Sequence, residues 1–145
     1  IMSLKDGTKK MSKSDPSDLS RINLTDTNDQ ILNKIKKAKT DGNLMPSEKI
    51  ELKKRPEVEN LLSIYSSLKN QNIEKSIDEF SGKNFSDFKD NLAETVVDKI
   101  SPISKEIINL LKNEDYIDKI LEEGAEKADA QATNKINEIK KIIGF

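Results

Sequence analysis

The segment Thr8-Lys9-Lys10-Met11-Ser12-Lys13-Ser14-Asp15, near the N-terminus of this 145-residue chain, decides how the rest is interpreted. It places three lysines and two serines between Gly7 and the turn-forming pair Asp15-Pro16. Ammonium groups, hydroxyls and the backbone N–H groups of a loop are suited to binding phosphate. Short lysine clusters are also common as plain solvated surface. The segment therefore predicts either a phosphate-binding loop or an exposed basic surface.

The order of the residues favours the first interpretation. Lys10-Met11-Ser12-Lys13-Ser14 reproduces the KMSKS signature of class I aminoacyl-tRNA synthetases. Together with Ile1-Met2-Ser3-Leu4 before it and Asp15-Pro16 after it, the motif resembles the tryptophanyl-tRNA synthetase family, whereas the tyrosyl family usually carries a degenerate form. The resemblance continues through three further segments: Ile31-Lys34-Ile35-Lys36-Lys37-Ala38-Thr40-Asp41, Asn60-Leu61-Leu62 and Gly124-Ala125-Glu126-Lys127-Ala128. We therefore interpret the chain as the C-terminal half of a bacterial-type member, from the KMSKS loop onward.

The resemblance implies roles for residues of the loop. In this family the carboxylate of the amino acid attacks the α-phosphorus of ATP, and pyrophosphate leaves. Lys13 is implied to support the pyrophosphate as a catalytic residue, and Lys10 to assist it. The implied ATP-binding residues are Ile1, at the end of a strand that touches the adenine, and Lys10, Met11, Ser12, Lys13 and Ser14 of the loop.

The resemblance also implies partners. They are ATP with Mg2+, L-tryptophan, tRNA(Trp) and a second copy in a homodimer, with no protein ligand identified for a metal. The family's other signature, a HIGH-type motif, requires histidine, and this chain has none. The chain also begins at an apolar Ile1, so we expect a piece of a longer protein that does not activate tryptophan alone. A tyrosyl-type synthetase and a non-enzymatic helical interaction module remain the alternatives.

Composition limits the other classes of site. Charged residues make up 35% of the chain, hydrophobic residues 34% and aromatic residues 4%, so any core must be built mainly from Ile, Leu, Val and Ala. The absence of cysteine excludes disulfides and thiolate metal sites, and the absence of histidine excludes the commonest metal ligand and general base. There is no apolar run of about 18 residues, the length of a membrane span. We expect a cytoplasmic protein that does not interact with membranes.

Charge is distributed unevenly along the chain. Residues 1–55 carry 13 Lys and Arg against 8 Asp and Glu, whereas residues 56–145 carry 12 against 18. A basic patch is the usual electrostatic footprint of a nucleic-acid-binding surface. The first third is therefore the better candidate for meeting phosphate, and any tRNA contact in the acidic remainder must be local.

The periodicity predicts a mainly α fold, a helical bundle preceded by the last strand and KMSKS loop of a nucleotide-binding sheet. We place the end of the catalytic domain at residues 1–24 and an anticodon-binding helical domain at residues 25–145. Residues 1–4 are predicted to end a strand, and residues 5–24 to form a loop with turns at Asp6-Gly7 and Asp15-Pro16-Ser17. No alternating strand pattern follows residue 24.

Helix signals are clear over the middle of the chain. Thr27 with Gln30 forms a capping box, and Gly42 is predicted to close that helix. Its lysines, namely Lys34, Lys36, Lys37 and Lys39, are expected on exposed faces. Residues 43–54 are predicted to be a loop. Pro56, at a favourable first position, begins a helix to about Lys69, and a shorter helix from Ile73 to Phe80 stops at Gly82.

Two longer apolar patterns complete the chain. The first runs from Ser86 to Leu111 and contains Pro102, where we expect a kink or a break. The second runs from about Asp115 to Ile143. The small residues Ala125, Ala128 and Ala132 lie on its apolar face and are predicted to pack closely against a neighbour. Both stripes are expected to form ordinary bundle core.

Overall fold

The computed structural model describes residues 1–144. It divides the chain into two compact units, with the boundary after Lys105. The chain is 67% helical and has a single two-stranded sheet within the described range, which confirms the mainly α prediction. The five α-helices are α1 (Asn28–Lys36), α2 (Pro56–Lys69), α3 (Ile73–Phe80), α4 (Phe85–Leu111) and α5 (Glu114–Ile143), and 3-10 turns cover Asp18–Ser20 and Lys49–Lys54.

Helix α1 begins where the capping box predicted and ends earlier than expected. The Thr27 hydroxyl accepts a hydrogen bond from the backbone N–H of Gln30 at 3.2 Å. The side-chain oxygen of Gln30 accepts one from the backbone N–H of Thr27 at 2.8 Å. The helix stops at Lys36, so the predicted end at Gly42 is wrong. The backbone N–H of Lys39 donates to the Leu4 carbonyl at 2.7 Å. This bond draws the chain out of the helix and toward the N-terminal strands.

Helices α2 and α3 have the predicted bounds and carry the core of the first unit. Pro56 occupies the first turn of α2, as predicted. The rings of Tyr65, Phe80 and Phe88 meet edge to face, with centroids 4.9 to 6.0 Å apart. The predicted loop at residues 43–54 instead contains the 3-10 turn Lys49–Lys54, whose Leu52 is buried in the same core.

The N-terminal residues form a hairpin rather than a strand end followed by a loop. Strand β1 (Met2–Ser3) pairs antiparallel with β2 (Asp6–Lys10), so the loop prediction is wrong for residues 6–10. The hairpin packs on the start of α2 at Gly7, where an added Cβ would lie 2.4 Å from the backbone of Pro56 and Glu57. The side chain of Asn60 in α2 also accepts from the Met2 N–H and donates to the Met2 carbonyl. Contacts with α2 therefore stabilise a strand that shows no alternating pattern.

Helix α4 continues through Pro102, so of the predicted kink or break the break did not occur, and the kink stays a prediction. Pro102 lies on an exposed face, as does Asp98, whose carbonyl loses its intrahelical donor. Water can satisfy that carbonyl, which explains why the proline is tolerated. The core face of α4 is buried through Val96 and again at Ser104, whereas Ile103, Leu110 and Leu111 are exposed. The prediction that the whole stripe is core is wrong for its last turns.

Helix α5 begins one residue before the predicted Asp115 and ends at the predicted Ile143, and none of its side chains is buried among residues 1–144. Ala125, Ala128 and Ala132 are all exposed. The prediction that these alanines pack closely against a neighbour stays a prediction. Within the same residues, no helix combines the length and the apolar character needed to cross a membrane. The predicted domain boundary after residue 24 stays a prediction.

Candidate functional site

The structure gathers most of the predicted site residues around one open groove of about 690 Å³. Ile1, Lys10, Met11, Ser12 and Lys13 line it together with residues 21–25. Ser14 lies outside the lining. A smaller groove of about 410 Å³ between the hairpin and α2 has the carboxylate of Glu59 and no cationic side chain in its lining. The larger groove is therefore the better site for an anion.

Lys10 and Lys13 are exposed, and neither has an acidic partner within 4 Å among residues 1–144. The neighbouring Lys9, in contrast, pairs with Asp6 at 3.4 Å and does not line the groove. Lysine acts toward phosphate as a mobile point charge. Two lysines that line the groove and have no acidic partner in the described part of the chain give it the electrostatic character of an anion site.

The start of the loop is fixed by backbone and packing contacts. The Met11 N–H donates to the Ile1 carbonyl at 3.3 Å. The Met11 side chain is half-buried and packs against the core of the first unit. These contacts hold the end of β2 beside the first residue of the chain, so Ile1 and Lys10 face the same groove.

The loop then turns through its two serines. The hydroxyls of Ser12 and Ser14 are 2.9 Å apart, and the Ser14 N–H donates to the Ser12 hydroxyl at 3.3 Å. The Asp15 N–H donates to the Ser12 carbonyl at 3.4 Å. The Asp15 carboxylate accepts from the Ser17 N–H at 2.8 Å, which is the turn predicted at Asp15-Pro16-Ser17. Ser14 therefore helps to shape the loop through Ser12.

Arg21 lies where the loop ends, and each of its side-chain nitrogens has an acceptor. Nη1 donates to the carbonyls of Asp15 at 2.9 Å and Ser17 at 3.4 Å. Nη2 lies 3.3 Å from the Asp18 carboxylate, and Nε donates to the Asn23 side chain at 3.1 Å. Sequence reasoning missed Arg21, because an isolated arginine in a predicted loop gives no local signal of such a role.

Behind Arg21, a buried lysine joins two aspartates. The Lys34 ammonium lies 2.7 Å from the Asp18 carboxylate and 2.6 Å from that of Asp26, and its side chain is only 3% exposed. Asp26 is also buried, and it accepts from the backbone and side chain of Asn23. The expectation that Lys34 lies on an exposed face is therefore wrong. The available signal for its burial was its position three residues after the apolar Ile31, on the same face of the helix.

The ion pairs change the acidity of Asp18. The hydrogen bond from Lys34, followed by that from the Asn23 side chain, lowers the pKa of the Asp18 carboxyl below its usual value. Asp18 therefore keeps its charge to lower pH than a free aspartate. No group of three or more acidic, histidine or cysteine side chains suited to holding a metal ion is found in the described part of the chain.

Known proteins resemble this chain over its whole length. A family model described as "tRNA synthetases class I (W and Y)" matches residues 1–100. Tryptophan–tRNA ligases of Rhizobium meliloti and Agrobacterium fabrum are each 52% identical over all 145 residues, and that of Rickettsia felis is 50% identical. The chain covers 41% of the length of the first two relatives and 43% of the third, and it aligns to their C-terminal part.

One solved structure supports the same grouping. The tryptophanyl-tRNA synthetase from Mycoplasma pneumoniae superposes with a TM-score of 0.61 at 31% sequence identity. The match covers 72% of this chain and 34% of that one. Fold and sequence therefore agree on the kind of protein to which this chain is similar.

Proposed function

This chain belongs to the tryptophan and tyrosine branch of the class I tRNA synthetases, and we propose that it is the C-terminal part of a tryptophan–tRNA ligase. The observation that carries the proposal is the groove in which Lys10 and Lys13, both without acidic partners among residues 1–144, lie beside Ile1 and Met11. The identity of about half of all residues to tryptophan–tRNA ligases favours tryptophan over tyrosine as the amino acid.

The proposed reaction is the activation of tryptophan. A carboxylate oxygen of tryptophan attacks the α-phosphorus of ATP, the bond from that phosphorus to the bridging oxygen breaks, and pyrophosphate leaves. Negative charge builds on the leaving oxygens. Cations held there therefore stabilise the transition state more than the ground state. Lys13 is the residue proposed to meet the pyrophosphate, with Lys10 assisting.

The remaining site residues are proposed to bind the nucleotide. Ile1 would contact the adenine, Met11 and Ser12 would lie along the nucleotide, and Ser14 would complete the phosphate contacts through the turn that it forms with Ser12. Mg2+ would arrive bound to the phosphate oxygens of ATP, since these are the hard ligands that it prefers.

The second half of the proposal concerns tRNA. We propose that residues 25–145 form the anticodon-binding domain, that tRNA(Trp) receives the activated tryptophan, and that the enzyme is a cytoplasmic homodimer. The match of tryptophan–tRNA ligases to all 145 residues supports this extension beyond the loop. The chain contains no histidine for a HIGH-type motif, so these residues alone are proposed to be inactive in tryptophan activation.

The test is ATP–pyrophosphate exchange by the full-length protein containing this chain, with tryptophan or tyrosine as the amino acid. The proposal expects exchange with tryptophan and none with tyrosine. Exchange with tyrosine alone would keep the reaction class and reject the substrate. Exchange with neither would leave a helical interaction module and reject the enzyme. The 145-residue chain, assayed in parallel, is expected to show no exchange.

A further inference from the structure

We propose that Arg21, supported by the buried Lys34, is a positioning residue that holds the C-terminal end of the loop and thereby places Lys13 at the groove. This inference rests on the proposed function, because the step that it serves is the activation of tryptophan. Arg21 acts through the loop backbone, whereas Lys10 and Lys13 present their own charges to the ligand.

The first step is that three of the five N–H donors of Arg21 make hydrogen bonds to protein acceptors, and two of these bonds go to carbonyls at the end of the loop. Its Nη1 is bound by two carbonyls, its Nη2 by Asp18 and its Nε by Asn23. A guanidinium that binds phosphate presents paired N–H groups to the anion. Arg21 lines the groove with its Nη1 and Nε bonded to protein acceptors and its Nη2 3.3 Å from the Asp18 carboxylate. Its contribution is therefore to geometry.

The second step is that the anchor behind Arg21 is rigid. Asp18, which receives Nη2, also receives the Lys34 ammonium at 2.7 Å. Lys34 belongs to helix α1, is buried and also pairs with the buried Asp26. Removing one partner of a buried ion pair is costly, so Lys34 and Asp26 stay together in the folded chain and keep the Lys34 ammonium beside the more exposed Asp18. Arg21 is thus connected through Asp18 and Lys34 to a helix rather than to another loop.

The third step is that the loop is short and attached at both ends. The Met11 N–H is bonded to the Ile1 carbonyl, and the Asp15 carbonyl to Arg21. Only Ser12, Lys13 and Ser14 lie between these two anchors. Their positions are therefore limited by both attachments. Displacements of about 1 Å in a reacting group can lower rates about a hundredfold. Releasing the Asp15 carbonyl lets Lys13 sample positions in which its ammonium no longer meets the leaving group.

The chain provides a matched control for Arg21. Arg55 makes the same kinds of contact, with an aspartate (Asp41, at 2.6 and 2.8 Å) and with a loop carbonyl (Leu44, at 2.9 Å). Arg55 does not line the groove. Arg21→Met and Arg55→Met therefore remove comparable bonds, but only the first touches the loop.

The experiment compares these variants in the full-length protein by single-turnover tryptophan activation and by deuterium uptake of the peptide covering residues 10–17. Arg21→Met is expected to lower the activation rate at saturating ATP about 10- to 100-fold, to change the ATP dissociation constant less than about threefold, and to raise deuterium uptake in the peptide. Arg55→Met is expected to keep the activation rate within about twofold of the wild type and to leave deuterium uptake of residues 10–17 unchanged, even if its Tm falls.

Three results would overturn the proposal. The first is unchanged deuterium uptake in Arg21→Met. This measurement does not depend on activity, so it tests the anchor even if the wild type shows no ATP–pyrophosphate exchange. The second is an equal fall in rate for both variants. The third is a deficit that lies wholly in the ATP dissociation constant, which would make Arg21 a direct ligand. Should Arg21→Met fail to fold, Arg21→Lys, which keeps one charge but only one nitrogen, takes its place with the same expectations.

Discussion

Lys13 is the single residue whose loss should most affect the proposed reaction. Its ammonium has no acidic partner among the described residues and lies at the groove, so its charge is available to the leaving pyrophosphate. Removing one donor that acts on a transition state typically lowers the rate about 10²- to 10³-fold. We expect Lys13→Ala in the full-length protein to lower the single-turnover activation rate by that factor with little change in ATP affinity.

Lys9→Ala is the control for this measurement, since Lys9 pairs with Asp6, is well exposed and lies outside the groove. Its activation rate should stay within about twofold of the wild type, as is usual for surface charges away from a site. Equal rates for Lys13→Ala and the wild type would remove Lys13 from the reaction.

Gly7 carries a second prediction at the scale of one residue, this time for stability. A methyl group there would lie 2.4 Å from the Pro56 carbonyl carbon and the Glu57 nitrogen, both of them backbone atoms that do not move easily. We expect Gly7→Ala to lower the free energy of unfolding of the 145-residue chain by about 1–3 kcal/mol, the usual range for overpacking. Urea denaturation measures this change.

Gly42→Ala provides the comparison, because nothing lies within 4 Å of an added Cβ at that position. Its free energy of unfolding should stay within about 0.5 kcal/mol of the wild type. If the two variants have equal midpoints in urea, the hairpin does not pack on α2 as closely as the structure indicates.

The candidate site shows which of its residues could be predicted from the sequence and which could not. Lys10 and Lys13 belong to a contiguous motif whose resemblance to the KMSKS signature predicts a phosphate-binding loop; the structure places both at the groove, and their role stays a prediction. Arg21 and Lys34 act through partners distant in sequence. The Asp26–Lys34 pair spans eight residues and the Asp18–Lys34 pair sixteen, and neither spacing is a helical one. Such pairs become visible only when the chain is folded.

At the scale of elements, helix starts were predictable and some helix ends were not. The capping box of Thr27 and the first-turn proline Pro56 are local signals, and both lie where the sequence placed them. The end of α1 depends instead on distant residues. Leu4 accepts from the Lys39 N–H, and the Lys89 ammonium donates to the carbonyls of Lys36 and Ala38 at 3.1 and 2.7 Å. Strand β2 was missed for the same reason, since its stability comes from packing on α2.

The segment between α1 and α2 carries a prediction about pH. Hydrogen bonds from Arg55, and then from the Asn43 backbone, lower the pKa of Asp41 below its usual value of 3.8. A folded-state pKa below the unfolded one means that the ionised carboxylate stabilises the fold. That contribution is fully present above the unfolded pKa and is lost as the pH falls through the folded pKa.

Asp41→Asn should therefore be less stable than the wild type at pH 7, and the difference should shrink as the pH falls below about 4. Urea denaturation at a series of pH values measures it. Arg55→Met should flatten the same part of the pH profile, and the double variant should flatten it no further, because both substitutions remove one interaction. Additive flattening would show that Asp41 and Arg55 act separately.

At the scale of the whole molecule, periodicity predicted which face of each helix is apolar but not what covers it. The stripes of α2, α3 and the first half of α4 are buried in the core of the first unit. The stripe of α5, with Ile120, Leu121, Ile136 and Ile139, follows the same helical spacing and is about half exposed. Hydrophobic spacing is a property of one helix, whereas burial depends on what lies beside it.

This exposure gives the last prediction, on the 145-residue chain itself. Helix α5 runs for 30 residues with no buried side chain in the described range. Isolated helices are marginally stable in water, because most helical stability in proteins comes from packing an apolar face. Gly124, near the middle of α5, lowers its stability by about 1 kcal/mol relative to alanine.

Helix α2, by contrast, contributes five hydrophobic side chains to the core. We therefore expect the backbone amides of Glu114–Ile143 to exchange with deuterium at least about a hundredfold faster, relative to their unfolded rates, than those of α2.

Gly124→Ala isolates the cause of that difference. An added Cβ at residue 124 meets nothing within 4 Å, so the substitution acts on helix propensity alone. About 1 kcal/mol of added helix stability corresponds to roughly fivefold slower exchange. We expect this slowing in α5 and unchanged exchange in α2, measured by hydrogen exchange resolved along the chain. Protection of wild-type α5 equal to that of α2 would contradict the prediction, because it would require the stripe of α5 to be covered in solution.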